Sequence, residues 1–223
     1  MKYAFLLFVR NLKRQKLFST INLLGLTVSI TGTLLIYLYV NFELSYDTFH
    51  NSADRIYRIN QTFIWGERNE HQFASTGPGV AHAIRQELPE VELITSLYTP
   101  GNFLVSYTNS NNEVISFEQE NVLAADSNFF AMFNYPLVGG NAETALTLAN
   151  TMVMTESIAK KYFGHENAVG KLMRVGSGEE EKTYEVSAVV KDLPENSYIQ
   201  FDMLLSMESF PMVERMRWSW VWT

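Results

Sequence analysis

The sequence predicts an α+β domain carried behind one membrane-crossing helix, and three observations predict it. Phe18–Phe42 is a run of 25 residues without Asp, Glu, Lys, Arg or His. At 1.5 Å rise per residue, about 20 apolar residues cross a hydrocarbon core, so this run spans with some tilt. The 181 residues that follow alternate short β-patterned runs with short helical ones, as α+β and mixed α/β domains do. The chain has no cysteine, so an outer domain must be held by its apolar core without disulfides. A segment of 181 residues is long enough to build such a core, and its aromatic side chains supply large units for burial.

The N-terminal 17 residues read as a basic inner foot. Lys2, Arg10, Lys13, Arg14 and Lys16 precede the run, and the first acid of the chain is Glu43. Basic flanks stay on the cytoplasmic side, which puts residues 1–17 inside, 18–42 across the bilayer and 43–223 outside. Phe5, Leu6, Phe8, Val9 and Leu12 recur at helical spacing among those cations. Such a helix lies in the headgroup layer and attracts anionic lipid, and the plainer reading is a basic flank that only orients the span. A cleavable signal peptide is the rival for the whole segment. Its apolar region is usually shorter and ends at small residues, whereas this run exits through Tyr39-Val40-Asn41-Phe42-Glu43. A retained anchor is the better reading.

Within the span, Asn22, Gly25, Ser29 and Gly32 fall three, four and three residues apart and make one small, weakly polar stripe. Small stripes let helices approach closely in a bilayer, although Gly and Ser are also common in spanning helices without that role. Asn22 favours helix packing, since an isolated anchor has no use for it.

Past the membrane the helix is expected to end near Asp47, and Arg55–Trp65 alternates like a strand. In STGPGVAHAIRQELPEV, Ser75 or Thr76 can cap, Pro78 suits the first turn, and Val80, Ile84 and Leu88 share a face before Pro89. Residues 92–125 read as successive strands, with a turn at Asn109–Asn112. A short helix is expected around 127–133, and 141–150 as a helical or irregular excursion. Met152–Met154 reads as a strand, and Thr155 opens a helix that carries Glu156 early, Lys160 and Lys161 late, and Gly164 past its end. Lys171–Val175, Thr183–Val190 and Ile199–Ser206 complete the expected strands.

Chemistry-bearing patterns are few. The outer part carries 12 basic and 24 acidic residues, a net −12, which disfavours nucleic acid as a partner. His50, His71, His82 and His165 show no i, i+4 pairing for a zinc site. Gly164–Lys171 imitates a phosphate loop, but its spacer has five residues and Leu172 stands where Ser or Thr would bind magnesium. Gly176-Ser177-Gly178 lacks the strand–turn–helix context of a nucleophile elbow. The acidic runs Glu118–Glu120 and Glu179–Glu181 read as solvated turns. No nucleophile, base and oxyanion set is visible, so neither an enzyme nor a cofactor is expected.

Several blocks, in order, carry a family resemblance: RNLKRQKLFSTINLLGLTVSI, YDTFHNSADRIYRI, STGPGVAHAIRQELPEV, AADSNFFAMFNYPLVGG, VMTESIAKKYFGHENAVGKLMRV and VVKDLPENSYIQFDMLLS. Together they resemble the N-terminal part of FtsX/MacB-type ABC transporter permeases, in a variant like those of Bacteroidetes-type bacteria. The resemblance implies a non-catalytic subunit in the bacterial inner membrane, with a porter-like periplasmic α+β core and a β-rich inserted subdomain that residues 92–125 would supply. It implies a cytoplasmic ABC ATPase subunit as partner, with further permease helices or a second permease copy, and a periplasmic adaptor or lipoprotein. Members of such a family extrude peptides or drugs, release lipoproteins or resist antimicrobial peptides. Relatives continue beyond the position of Trp218–Trp222, so the chain is expected to be a piece of a longer permease, with residues 43–223 an incomplete core domain. In this reading Leu44, Tyr46 and Asp47 couple the span to the outer domain through a stiff continuation of the helix. The alternative is a single-span anchored binding or sensor module, with a groove lined by Phe103, Tyr107 and Phe117.

Overall fold

The computed structural model describes Tyr3, Arg10 and residues 14–65, 69–178 and 181–216. The chain divides into two units, Met1–Tyr46 and Asp47–Thr223. The first is built on helix α1, Lys16–Leu44, whose 29 residues extend about 44 Å. Its best window has a mean hydropathy of 1.9, and α1 alone among the described residues is long and apolar enough to cross a membrane. The helix stops three residues before the expected end near Asp47. Both the amide and the hydroxyl of Ser45 donate to the Phe42 carbonyl, at 3.1 and 2.7 Å, closing the last turn. Asp47 then takes a left-handed φ of 56°, which a right-handed helix cannot continue through.

The second unit, named the outer unit for its expected side of the membrane, is organised around one mixed sheet. Its strands are β3 (Leu97–Tyr98), β4 (Phe103–Thr108), β5 (Val114–Gln119), β6 (Val122–Ala125), β7 (Leu137–Gly140), β8 (Thr151–Thr155), β9 (Leu172–Val175), β10 (Lys182–Val190) and β11 (Met203–Ser206). The order across the sheet is β3-β6-β11-β8-β10-β9-β4-β5, with β7 also paired to β10. β6 with β11 and β8 with β10 are parallel; the other pairs are antiparallel. A separate hairpin joins β1 (Gln61–Trp65) to β2 (Asn69–Phe73). The α+β class read from the sequence is the class observed. The strands of 92–125 do not form a sheet of their own: β3 and β6 close one end of the large sheet, and β4 and β5 close the other.

Strand alternation sorts the core into two layers, one on each face. Met152, Met154, Met203 and Leu205 face the layer that α4 (Glu156–Phe163) covers with Ile158, Tyr162 and Phe163. Val153 and Leu204 face the opposite layer, where α3 (Phe129–Met132) brings Phe129 and Phe130 to meet Phe133, Tyr135 and Phe201. All five residues of β8 are buried, as a central strand covered on both sides requires. In β10, Tyr184 and Val186 face the α4 side, but so does Val189. That change of parity needs one extra residue, and a β-bulge between Val186 and Ala188 supplies it. The bulged Ser187 hydroxyl lies within hydrogen-bond reach of the Ala145 and Met152 carbonyls, at 2.6 and 2.9 Å.

Several boundaries differ from the sequence expectation for local reasons. Within Arg55–Trp65 only Gln61–Trp65 pairs as a strand, because Ala53–Arg55 is a 3-10 turn and, among the described residues, no strand pairs with 56–60. Within Ile199–Ser206 only Met203–Ser206 pairs; ahead of it the Gln200 side-chain Nε2 donates back to the carbonyls of Pro194 and Ser197 at 2.8 and 2.9 Å, holding a loop. Helix α2 (Pro78–Glu87) has Gly77, not Ser75 or Thr76, at its N-cap, with Pro78 in the first turn. Thr155 stands at the N-cap of α4 but makes no side-chain cap. The Asp192 carboxylate caps instead, accepting from the Ser157 amide at 2.9 Å and the Ser157 hydroxyl at 2.5 Å. A last short helix, α5, covers Pro211–Arg215.

Candidate functional site

Two places hold the candidate residues: one face of α1, and the segment that opens the outer unit. On α1, Asn22, Gly25, Ser29 and Gly32 fall within an arc of about 80° at about 100° per residue. The Ser29 hydroxyl donates to the Gly25 carbonyl at 2.9 Å, and Thr27 and Thr33 donate likewise to Leu23 and Ser29. Hydroxyl polarity is thereby satisfied inside the helix, as a bilayer demands. A Cβ added at Gly25 or Gly32 would meet nothing within 4 Å. These glycines leave an open furrow on the helix surface. Arg10, Arg14 and Lys16 are exposed, while Lys2 and Lys13, and most of the expected amphipathic helix, lie outside the described residues.

The three expected coupling residues have different surroundings. Leu44 is 73% exposed, and Tyr46 sets its ring edge-on to Phe42 at 5.4 Å. Asp47 is fastened within the outer unit. Its amide donates to the Asn196 carbonyl at 3.0 Å. Its carboxylate accepts from the Tyr198 amide at 2.9 Å and, more weakly, from the Ser197 hydroxyl at 3.4 Å. The left-handed backbone of Asp47 aims both groups at one loop, and Asp is among the few non-glycine residues that tolerate it.

His50, three residues on, is the residue that sequence reasoning missed. It is buried, at 4% exposure, among Phe49, Phe133 and Tyr135, with ring centroids 4.1, 5.1 and 5.1 Å away. Its Nδ1 accepts from the Asn134 amide at 3.2 Å, and the Asn134 side chain in turn accepts from the Asn51 amide at 2.9 Å. Burial holds the imidazole below its ordinary pKa, against an opposing pull from the Asp47 charge. Tyr135 joins this fastening to the loop of Asp47, its hydroxyl 2.9 Å from that of Ser197. Burial pushes its phenol up to about 12, with the Ser197 bond opposing and the Asp47 charge adding. A shallow cavity of about 340 Å³ opens beside Phe49, Tyr135, Pro136, Lys191 and Pro194.

The other sequence motifs resolve into structure. Gly164 ends α4 with a φ of 64°, and Gly170 turns at 86° to donate to the Val186 carbonyl at 2.8 Å. Lys171 pairs with Glu166 and reaches the Tyr107 hydroxyl at 3.2 Å. The imitation phosphate loop is therefore two glycine turns and an ion pair. Tyr107 packs edge-on to Phe163 at 4.6 Å, Phe117 packs on Tyr162 at 5.3 Å, and Phe103 packs on the core. Tyr107 and Phe117 thereby pack α4 onto the sheet, with Phe117 still 38% exposed. Among the described residues, no three His, Asp or Glu side chains are grouped to hold a metal ion.

An apolar helix of spanning length that runs without a linker into a two-layered α+β unit is the build of a membrane-anchored domain. The MacB-like periplasmic core domain family matches residues 19–222, and the chain belongs to that family. Among solved structures, a domain of a permease protein from Porphyromonas gingivalis is 30% identical, with a TM-score of 0.57, over 74% of this chain and 66% of that one. The periplasmic region of MacB from Actinobacillus actinomycetemcomitans is 17% identical, with a TM-score of 0.39, over 58% of this chain and 56% of that one. The extracellular domain of the noncanonic ABC-type transporter YknZ from Gram-positive bacteria is 13% identical, with a TM-score of 0.38, over 58% and 60%. The chain thus spans 56 to 66% of the length of these solved domains. No curated protein matches the sequence.

Proposed function

We propose that the chain is the N-terminal part of a non-catalytic permease subunit in an ATP-driven transporter of the FtsX/MacB type. The observation that carries this is one family match running from inside α1, at residue 19, through the outer unit to residue 222. A helix of spanning length and a MacB-like core domain are consecutive in one chain, with only a few residues between Leu44 and the fastened Asp47. Motion driven by a cytoplasmic ATPase subunit would enter through the helix and leave through the outer unit. The Asp47–Asn51 segment would carry it between sheet and span. The basic N-terminus would sit on the inner leaflet, the outer unit would be periplasmic, and the Asn22–Gly32 face would receive another permease helix or a second copy. Export, lipoprotein release and antimicrobial-peptide resistance are the roles open to such a machine. The alternative is a single-span anchored sensor, and the ring contacts of Tyr107 with Phe163 and of Phe117 with Tyr162 favour a packing role for those aromatics over a binding groove. The test is affinity isolation of the full-length product from membranes. An ABC ATPase that co-purifies stoichiometrically is expected, and a product isolated without one would overturn the reading.

A further inference from the structure

Protonation of one imidazole opposes a backbone hydrogen bond at the start of the outer unit. His50 accepts from the Asn134 amide through Nδ1, so the neutral ring must carry its proton on Nε2. Nε2 is itself buried and has no hydrogen-bond partner among the described residues. A second proton could go only to Nδ1, where it would face the Asn134 N–H donor. Three aromatic rings pack around an imidazole that is only 4% exposed, so a cation there would be poorly solvated. The same Asn134 holds the Asn51 amide, and Tyr135 holds the Ser197 end of the loop that fastens Asp47.

From this geometry we infer that Asp47–Asn51 is an acid-released latch: neutral His50 keeps it seated on Asn134 and Tyr135, and protonated His50 frees it. The charged and titratable groups around the ring are few. On its own segment Asp47 is the counter-charge that favours the imidazolium. From the facing segment the neutral Tyr135 phenol packs edge-on to the ring. Lys191 and Asp192, of opposite sign, border the cavity beside Phe49 and Asn134. Asp47 is already engaged with the Tyr198 and Ser197 groups and is not among the atoms bonded to the ring, so it eases protonation without replacing the Asn134 bond. The latch concerns the outer unit itself and does not require the transporter reading.

The test is amide hydrogen exchange, read by mass spectrometry on the full chain in membrane mimetic, between about pH 7.5 and about pH 5. After correction for intrinsic exchange rates, peptides covering 47–52 and 133–136 are expected to lose protection about tenfold or more on acidification, while β8 and β11 stay protected. His50→Gln keeps an acceptor that cannot titrate, so its peptides should stay protected at both pH values. Should that variant fold poorly, the wild type still decides: the loss of protection must share its midpoint with the His50 ring resonances in a nuclear magnetic resonance titration. Unchanged protection at acid pH would overturn the latch. So would equal loss in His50→Gln, loss shared by β8 and β11, or a midpoint separate from His50.

Discussion

Substitution at Asp47 separates the two features that hold the start of the outer unit. Asp47 has a left-handed φ of 56° and a carboxylate accepting the Tyr198 amide at 2.9 Å. A hydrogen bond to a charged group contributes about 1.5–3 kcal/mol, and partial exposure places this one near about 1.5 kcal/mol. The left-handed conformation costs an ordinary L-residue about 1 kcal/mol more than it costs Asp, Asn or Gly. Asp47→Ala loses both contributions, about 2.5 kcal/mol, which for a domain of this size lowers Tm by about 5–10 °C. Asp47→Gly loses the bond but relieves the backbone, for a net loss of about 1 kcal/mol. Asp47→Asn keeps a neutral acceptor and the permitted backbone, and should lose only about 0.5 kcal/mol. Urea unfolding of the solubilised chain, followed by near-ultraviolet circular dichroism, gives the three midpoints at constant m. The expected order of stability is Asn above Gly above Ala. Finding Ala as stable as Gly would refute the backbone contribution, and finding all three equal to wild type would refute the fastening.

Three further outcomes follow from the same fold. Gly140 has a φ of 88°, and a Cβ there would sit 2.4 Å from the Ser187 carbonyl oxygen, at the β10 bulge. Gly140→Ala should therefore cost about 2–5 kcal/mol from strain plus overpacking, whereas Gly101→Ala, at φ 103° but in open space, should cost only the strain of about 1–2 kcal/mol; urea midpoints compare the two. Burial holds the Tyr135 phenol at about 12, above the ordinary tyrosine value of 10.0, so its contribution is whole below pH 10 and lost as pH rises toward 12. Tyr135→Phe should remove about 2–3 kcal/mol of the alkaline loss in a pH series of unfolding midpoints, leaving the part due to Tyr162 and Tyr184, which burial also raises. Replacing Gly25 and Gly32 together by Leu fills the furrow on α1, and should abolish cross-linking through cysteines placed along that face while cross-linking on the opposite face persists.

What the sequence discloses here depends on how far apart the interacting residues are. Helix α1 is legible because 25 consecutive uncharged residues need no partner to be recognised. Helix α4 is legible because Glu156, the two lysines and Gly164 are signals a helix carries along its own length. Arg55–Ile59 misleads for the same reason: alternation is a local pattern, but a strand needs a neighbour, and Tyr57 is left 80% exposed. The cap on α4 shows the limit from the other side. Thr155 has the right chemistry and position, yet Asp192, 35 residues from Ser157, provides the oxygens. At the candidate site that distance grows to 84 residues for His50 and Asn134 and 151 for Asp47 and Tyr198. No spacing rule reaches so far. Only the fold brings YDTFHNS, FNYP and LPENSY into contact. The same distances bear on mechanism. A junction held by its own helix would be stiff at any pH, whereas one held by residues from two remote segments is as stiff as its weakest bond. Here one of those bonds ends on an imidazole, the side chain whose charge changes most readily near neutrality.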